Sequence, residues 1–192
     1  MNFQLAFTRA MRSASLPSAV VALIGGASAL QPFDEWSHER IQLQDVSIHF
    51  RYSASGKPPL LLVHGFPEHS STWTTIGPIL AEHYTIIAPD NRGCGDSSLS
   101  ASGNYTAPAG GEDLLAILNF LNITKTYMFA HDKGVGLASS LALEHPERIA
   151  RFALAEYPLP GFGYPTEVTS PSLYMCADHP NHRDAQQDPR PH

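Results

Sequence analysis

The join at residues 130–134 constrains the fold more than any other feature. An apolar run at 126–130 reads as a strand, and residues 134–144 read as a helix that stops near Pro146. Only His131, Asp132 and Lys133 lie between them, which is short for a strand-to-helix connection. So abrupt a turn needs small residues on either side, because it packs against the helix that follows. Ala130 and Gly134 supply them, and Val135-Gly136 continues the close-packing stretch. Asp132 therefore occupies the tip of the turn, at the end of a strand. A lone Asp in such a place is ordinarily a helix N-cap. Two further motifs, in a fixed order before it, favour a carboxylate held out for chemistry.

The chain around this turn alternates strand and helix. We expect further strands at 46–52, 60–63, 84–88 and 149–155, and a helix at 114–121 led in by Gly110-Gly111-Glu112-Asp113. Residues 46–52 alternate apolar with polar, as in a half-exposed strand, whereas 60–63 and 84–88 are continuous apolar runs suited to burial on both faces. This alternation predicts an α/β fold, a mostly parallel sheet with helices on both faces. The 192 residues, 43% hydrophobic and 16% charged, suffice for one domain with a core. The net charge of −6, with no basic run, argues against a nucleic-acid partner. Two cysteines, Cys94 and Cys176, are too few for a disulfide framework or a zinc site, and no cofactor is expected.

The first of the two motifs is His64-Gly65-Phe66-Pro67, directly after the run at 60–63. Gly65 permits a sharp turn and Pro67 stiffens it, a cis bond being one way to do so. Such a turn can aim a backbone N–H at a developing negative charge. Taken alone it is equally a tight loop. The second is Asp90-Asn91-Arg92-Gly93-Cys94-Gly95-Asp96-Ser97. We read it as structural, with Asp90 and Arg92 satisfying loop backbone groups.

The order H-G-F-P, D-x-R-G-x-G-x-S, H-D-x-G resembles the α/β-hydrolases of the epoxide hydrolase and haloalkane/haloacetate dehalogenase group. The stretch Glu156-Tyr157-Pro158-Leu159-Pro160-Gly161 is also similar, and the likeness runs over about residues 33–164. The resemblance implies an α/β-hydrolase fold in which Asp132 is the nucleophile and attacks carbon to leave an alkyl–enzyme ester. It implies an oxyanion hole from the N–H groups of Phe66 and Lys133, with His64, Gly65 and Pro67 shaping the loop. Glu156, 24 residues after Asp132, stands where some dehalogenase-like members carry the acid of the triad. It reads equally as a loop hydrogen-bond or helix-dipole partner. The implied substrate is a small apolar epoxide or a halogenated compound. Haloacid enzymes of the group clamp the substrate carboxylate with two Arg, where this chain has Lys133 and Gly136, so an epoxide is the first reading and a haloacid or haloalkane the alternative.

Both ends depart from that pattern. Residues 1–30 hold no acidic residue, and Arg9 and Arg12 precede an apolar stretch ending in Ala27-Ser28-Ala29. This reads as a secretory signal peptide cut after about residue 29, with a mitochondrial presequence or a plain cytoplasmic extension as alternatives. The stretch is too short and too rich in Gly and Ser for a stable membrane span. The hydrolase core is expected over 31–174. Residues 175–192 are polar, with no periodic apolar face, and read as a disordered tail. His179, His182, His192 and Cys176 lie there with no zinc spacing. The group's cap and late histidine base have no counterpart here, so a chain truncated before the cap and last strands is expected, either an incomplete enzyme or a non-catalytic remnant. Its oligomeric state has no sequence signal.

Overall fold

The computed structural model describes residues 31–157. The expected targeting segment at 1–30, the expected tail at 175–192 and the stretch from Pro158 onward lie outside them. Six strands form one sheet: β1 (Ser37–Gln42), β2 (Ser47–Tyr52), β3 (Pro59–Val63), β4 (Thr85–Pro89), β5 (Thr126–His131) and β6 (Ile149–Ala155). Three helices connect the parallel part: α1 (Ile76–Leu80), α2 (Ala107–Phe120) and α3 (Gly134–Glu144). The order across the sheet is β1-β2-β4-β3-β5-β6. β1 and β2 pair antiparallel, β2 joins β4 antiparallel, and β4, β3, β5 and β6 run parallel. Among the described residues no helix is long and apolar enough to cross a membrane.

The period-2 alternation of a strand splits each continuous apolar run between two cores. Leu61, Val63 and Ile87 face α2 and α3, packing with Leu114, Ile117, Leu118, Leu137 and Leu141. Leu60, Leu62, Ile86 and Ala88 face the other way, onto Phe33, Trp36 and Trp73, with Leu80 of α1 at the margin. Each fully buried Val, Leu or Ile among them contributes about 1.5–3 kcal/mol. Helices therefore cover both faces.

Three elements differ from the expectations: α1, which answers to no expected helix, β1 and α2. β1 has no sequence signal, since S-H-E-R-I-Q offers one buried apolar residue, Ile41; it forms because it closes a hairpin on β2 at the sheet edge. α2 begins at Ala107, seven residues before the expected start, and Gly110 and Gly111 lie inside it. Glycine weakens a helix, by about 1 kcal/mol against alanine. Here the missing side chains let α3 press in, because a Cβ on Gly110 would strike Leu137 and one on Gly111 would crowd the backbone at Leu141, 3.1 Å away.

Candidate active site

The chain passes from β3 to β4 on one side, then crosses back through α2 to place β5 on the other side of β3. The carboxyl ends of β3 and β5 therefore lie side by side at a switch point, the usual place for a ligand in such sheets. Val63 pairs with Ala130, so the next residues of each strand, the H-G-F-P loop and the H-D-K turn, emerge together. Asp132 sits at the tip with φ +44°, a region costly for a residue with a Cβ. Three backbone bonds hold it there: Asp132 N–H to Ala155 O, Val135 N–H to Asp132 O, and Gly136 N–H to Lys133 O.

Close approach explains the small residues. A Cβ on Gly134 would collide with the carbonyl oxygens of Val63 and His64, and one on Gly65 would lie 2.6 Å from Asp132 Cβ. With both absent, Phe66 N–H donates to Asp132 Oδ2 at 2.9 Å. The Phe66–Pro67 peptide is cis. Lys133 takes helical angles as the first turn of α3 begins. Phe66 and Lys133 line one small pocket together with Gly65, Asn91, Tyr105 and Leu137.

His64 is fully buried and serves as a spacer. Its Nδ1 donates to Gly65 O at 2.8 Å, while Nε2 accepts Asn91 N–H at 2.9 Å, which requires the neutral ring. Burial lowers its pKa in the same sense. Asn91 also donates through Nδ2 to His64 O, and its buried Oδ1 has no hydrogen-bond partner among the described residues.

Glu156 turns to His131 rather than to Asp132. Its Oε2 lies 2.9 Å from His131 Nε2, and Glu68 Oε2 lies 3.3 Å from His131 Nδ1 while accepting Gly65 N–H at 2.9 Å. This Glu68–His131–Glu156 bridge ties together the loops that follow β3, β5 and β6. Glu156 raises the His131 pKa most; partial burial opposes it and Glu68 adds to it. Glu68, His131 and Asn91 had no assigned part in the sequence reading. The nearest signal is position: Glu68 adjoins the H-G-F-P motif, while Asn91 and His131 stand inside the other two. Neither cluster of metal-ligating side chains among the described residues includes Asp132.

Residues 90–97 are knitted into the fold. Arg92 makes a two-point contact with Asp113, Nε to Oδ2 at 2.7 Å and Nη2 to Oδ1 at 2.8 Å, and also reaches Asp45 and the carbonyls of Asn104 and Ala109. Asp90, 1% exposed, accepts from Ser70 N–H, Asp96 N–H and His49 Nδ1. Burial pushes its pKa up, but these three donors outweigh it and hold the carboxyl far below the ordinary range. A depressed folded pKa contributes stability above the unfolded value of about 3.9, lost as pH falls toward the folded value. Denaturation midpoints should therefore drop steeply below about pH 4. Asp90→Ala should cost about 3 kcal/mol at pH 7 by stranding those donors, and should flatten the acid limb. A pH series of urea melts checks both.

Relatives with known names share this region. The chain is 30% identical over 128 residues to a fluoroacetate dehalogenase from a Burkholderia species, covering 65% of this chain and 42% of that protein. It is 30% identical over 127 residues to a soluble epoxide hydrolase from a Corynebacterium species, covering 66% and 43%. Among solved structures, Cfl2 from Burkholderia cenocepacia superposes with a TM-score of 0.62 at 31% identity, over 69% of this chain and 45% of that one. A mutant of the Vigna radiata epoxide hydrolase gives 0.60 at 29%, over 66% and 40%. The chain thus spans less than half the length of the curated relatives it matches. The family model for the alpha/beta hydrolase fold matches residues 58–182, more than half of the sequence, and the chain belongs to that family.

Proposed function

We propose that Asp132 is the nucleophile of a hydrolase acting on small apolar epoxides through an alkyl–enzyme ester. The observation that carries this reading is the φ +44° turn with Oδ2 bound by Phe66 N–H. Oδ1 has no hydrogen bond among the described residues, so it is the oxygen free to attack. It bonds to a ring carbon as the carbon–oxygen bond of the epoxide breaks, and the released alkoxide takes a proton from solvent water. Oδ2 then becomes the ester carbonyl oxygen. When water adds to Cγ, negative charge develops on Oδ2, already at the Phe66 N–H, with Lys133 N–H as the second donor. One such donor is worth about 10²–10³ in rate. The ester collapses, the diol leaves, and one oxygen of the restored carboxylate comes from water. The base that activates this water is not identified among the described residues. Secretion is part of the same proposal, resting on residues 1–30 alone.

The test is a single turnover of styrene oxide in ¹⁸O-water. The first-turnover diol should carry no label, and the Asp132 peptide should gain 2 Da. Label in the first diol would mean direct attack by water and would end the proposal. Carbon–halogen cleavage is the second reading, favoured by the likeness to a fluoroacetate dehalogenase and by Lys133, a cation lining the pocket. It predicts halide release from a haloacetate through the same ester.

A further inference from the structure

On the far side of the sheet from β5, the first hairpin meets the loop at 90–97. There β1 brings His38 and β2 brings His49 to the same face, as diagonal neighbours across the antiparallel register. Their rings approach with His38 Nδ1 3.0 Å from His49 Nε2. Asp96, on the loop, completes a group of three in which each residue can offer one ligand atom, all within 4.8 Å of one another. We propose that His38, His49 and Asp96 form a binding site for a divalent transition metal, zinc by preference, with water completing a four-coordinate sphere.

Four features favour a metal over an ordinary cluster of polar groups. First, His49 is buried, and its Nδ1 donates to Asp90 Oδ2 at 2.8 Å. That fixes ring orientation and leaves Nε2 as the lone pair. A carboxylate behind the imidazole is the usual support of a zinc-bound histidine. Second, Asp90 Oδ2 also accepts Asp96 N–H, so the residue that orients one ligand holds the backbone of another. Third, a tetrahedral pair of nitrogens on zinc, with bonds of about 2.0–2.1 Å, stands roughly 3.3 Å apart, so the present 3.0 Å need open only slightly. Fourth, His38 and Asp96 are exposed, which gives the metal an entry path and lets the Asp96 carboxylate, whose Oδ2 lies 4.0 Å from His49 Nδ1, swing toward Nε2.

Binding replaces the hydrogen bond between the rings. The proton on His38 Nδ1 is lost to solvent while Nε2 takes one up, so the neutral ring presents Nδ1 to the metal. Imidazole and carboxylate suit zinc better than magnesium or calcium, which want oxygen alone. Arg51 opposes a cation here, yet its guanidinium is drawn aside over the Phe33 ring at 4.9 Å, and Asp90 and Asp96 counter it. Sequence spacing could not reveal the site, because its ligands come from three separate elements.

The experiment uses the full chain, stripped with chelator and titrated with cobalt(II) as a spectroscopic probe, then with zinc as competitor. Low-coordinate cobalt bands should appear at one equivalent and vanish with zinc, and zinc should raise the melting temperature. His38→Gln and Asp96→Asn, both at exposed positions, should each weaken zinc at least tenfold. His145→Gln, in the separate Glu112, Glu144 and His145 group, should leave it unchanged. Absence of zinc binding tighter than about 10 μM overturns the proposal. So does binding that both His38→Gln and Asp96→Asn leave intact, which would place the metal elsewhere, for instance on the histidines at 179, 182 and 192.

Discussion

Asp132→Asn should lower the rate of ester formation by about 10⁴-fold or more, the scale seen when an enzyme loses a group that acts at the reacting centre. An amide oxygen is a poor nucleophile toward carbon, so the first step fails rather than the second. The variant should still fold. Asparagine tolerates positive φ better than other residues with a Cβ, and its side-chain oxygen can still accept Phe66 N–H. Its urea midpoint should stay close to that of the parent. Asp132→Ala tests the complement: it loses both the nucleophile and that hydrogen bond, while keeping the strained φ. Intact-mass spectrometry after a brief pulse of epoxide reads the outcome, with ester mass on the parent and none on either variant. Adduct formation in Asp132→Asn within tenfold of the parent would show that another side chain is alkylated. The proposed role of Asp132 would then fall, although the fold assignment would stand.

Local patterns carried most of the fold into view. The strands at 59–63 and 85–89 announce themselves as continuous apolar runs because both their faces are buried. α3 and β6 begin and end where the sequence reading puts them, since Gly134 and Pro146 punctuate the chain. What escaped has a common cause, which is that long-range pairing overrode local signals. β1 is polar almost throughout and is held by its partner strand. Gly110 and Gly111 look like a helix start and prove to be a helix–helix contact. β2 reads as half-exposed, yet His49 is buried, because Asp90, 41 residues away, receives its proton. Around Asp132 the same division holds. The turn, Gly65 and Phe66 follow from adjacent residues, whereas the Glu68–His131–Glu156 bridge joins positions 63 and 25 residues apart. No local spacing could have distinguished Glu156 bound to a histidine from Glu156 acting elsewhere.

Gly134→Ala should destabilise the protein by about 3 kcal/mol or more, against the usual direction for this exchange. In an exposed helix interior, glycine to alanine gains roughly 1 kcal/mol, because the helix loses less backbone freedom on folding. At the first residue of α3 the geometry reverses the sign. The added Cβ would lie 2.7 Å from Val63 O and closer still to His64 O. Both are backbone atoms of β3 and its loop, so no side chain can rotate away. Relief requires α3 to lift from the sheet or the end of β3 to shift. The first uncovers Val135 and Ala138, both fully buried. The second strains the Val63–Ala130 pairing and draws Phe66 N–H away from Asp132. Overpacking of this kind costs about 1–3 kcal/mol where side chains can yield, and more where backbone must. Gly134→Val should be worse, and accumulation in the insoluble fraction is an acceptable form of that result. Urea denaturation of the soluble alanine variant gives the number, and a pulse of epoxide on the same sample should show ester formation falling along with stability. A Gly134→Ala protein as stable as the parent would mean that the helix does not approach β3 this closely, and the tight turn that presents Asp132 would lose its physical basis.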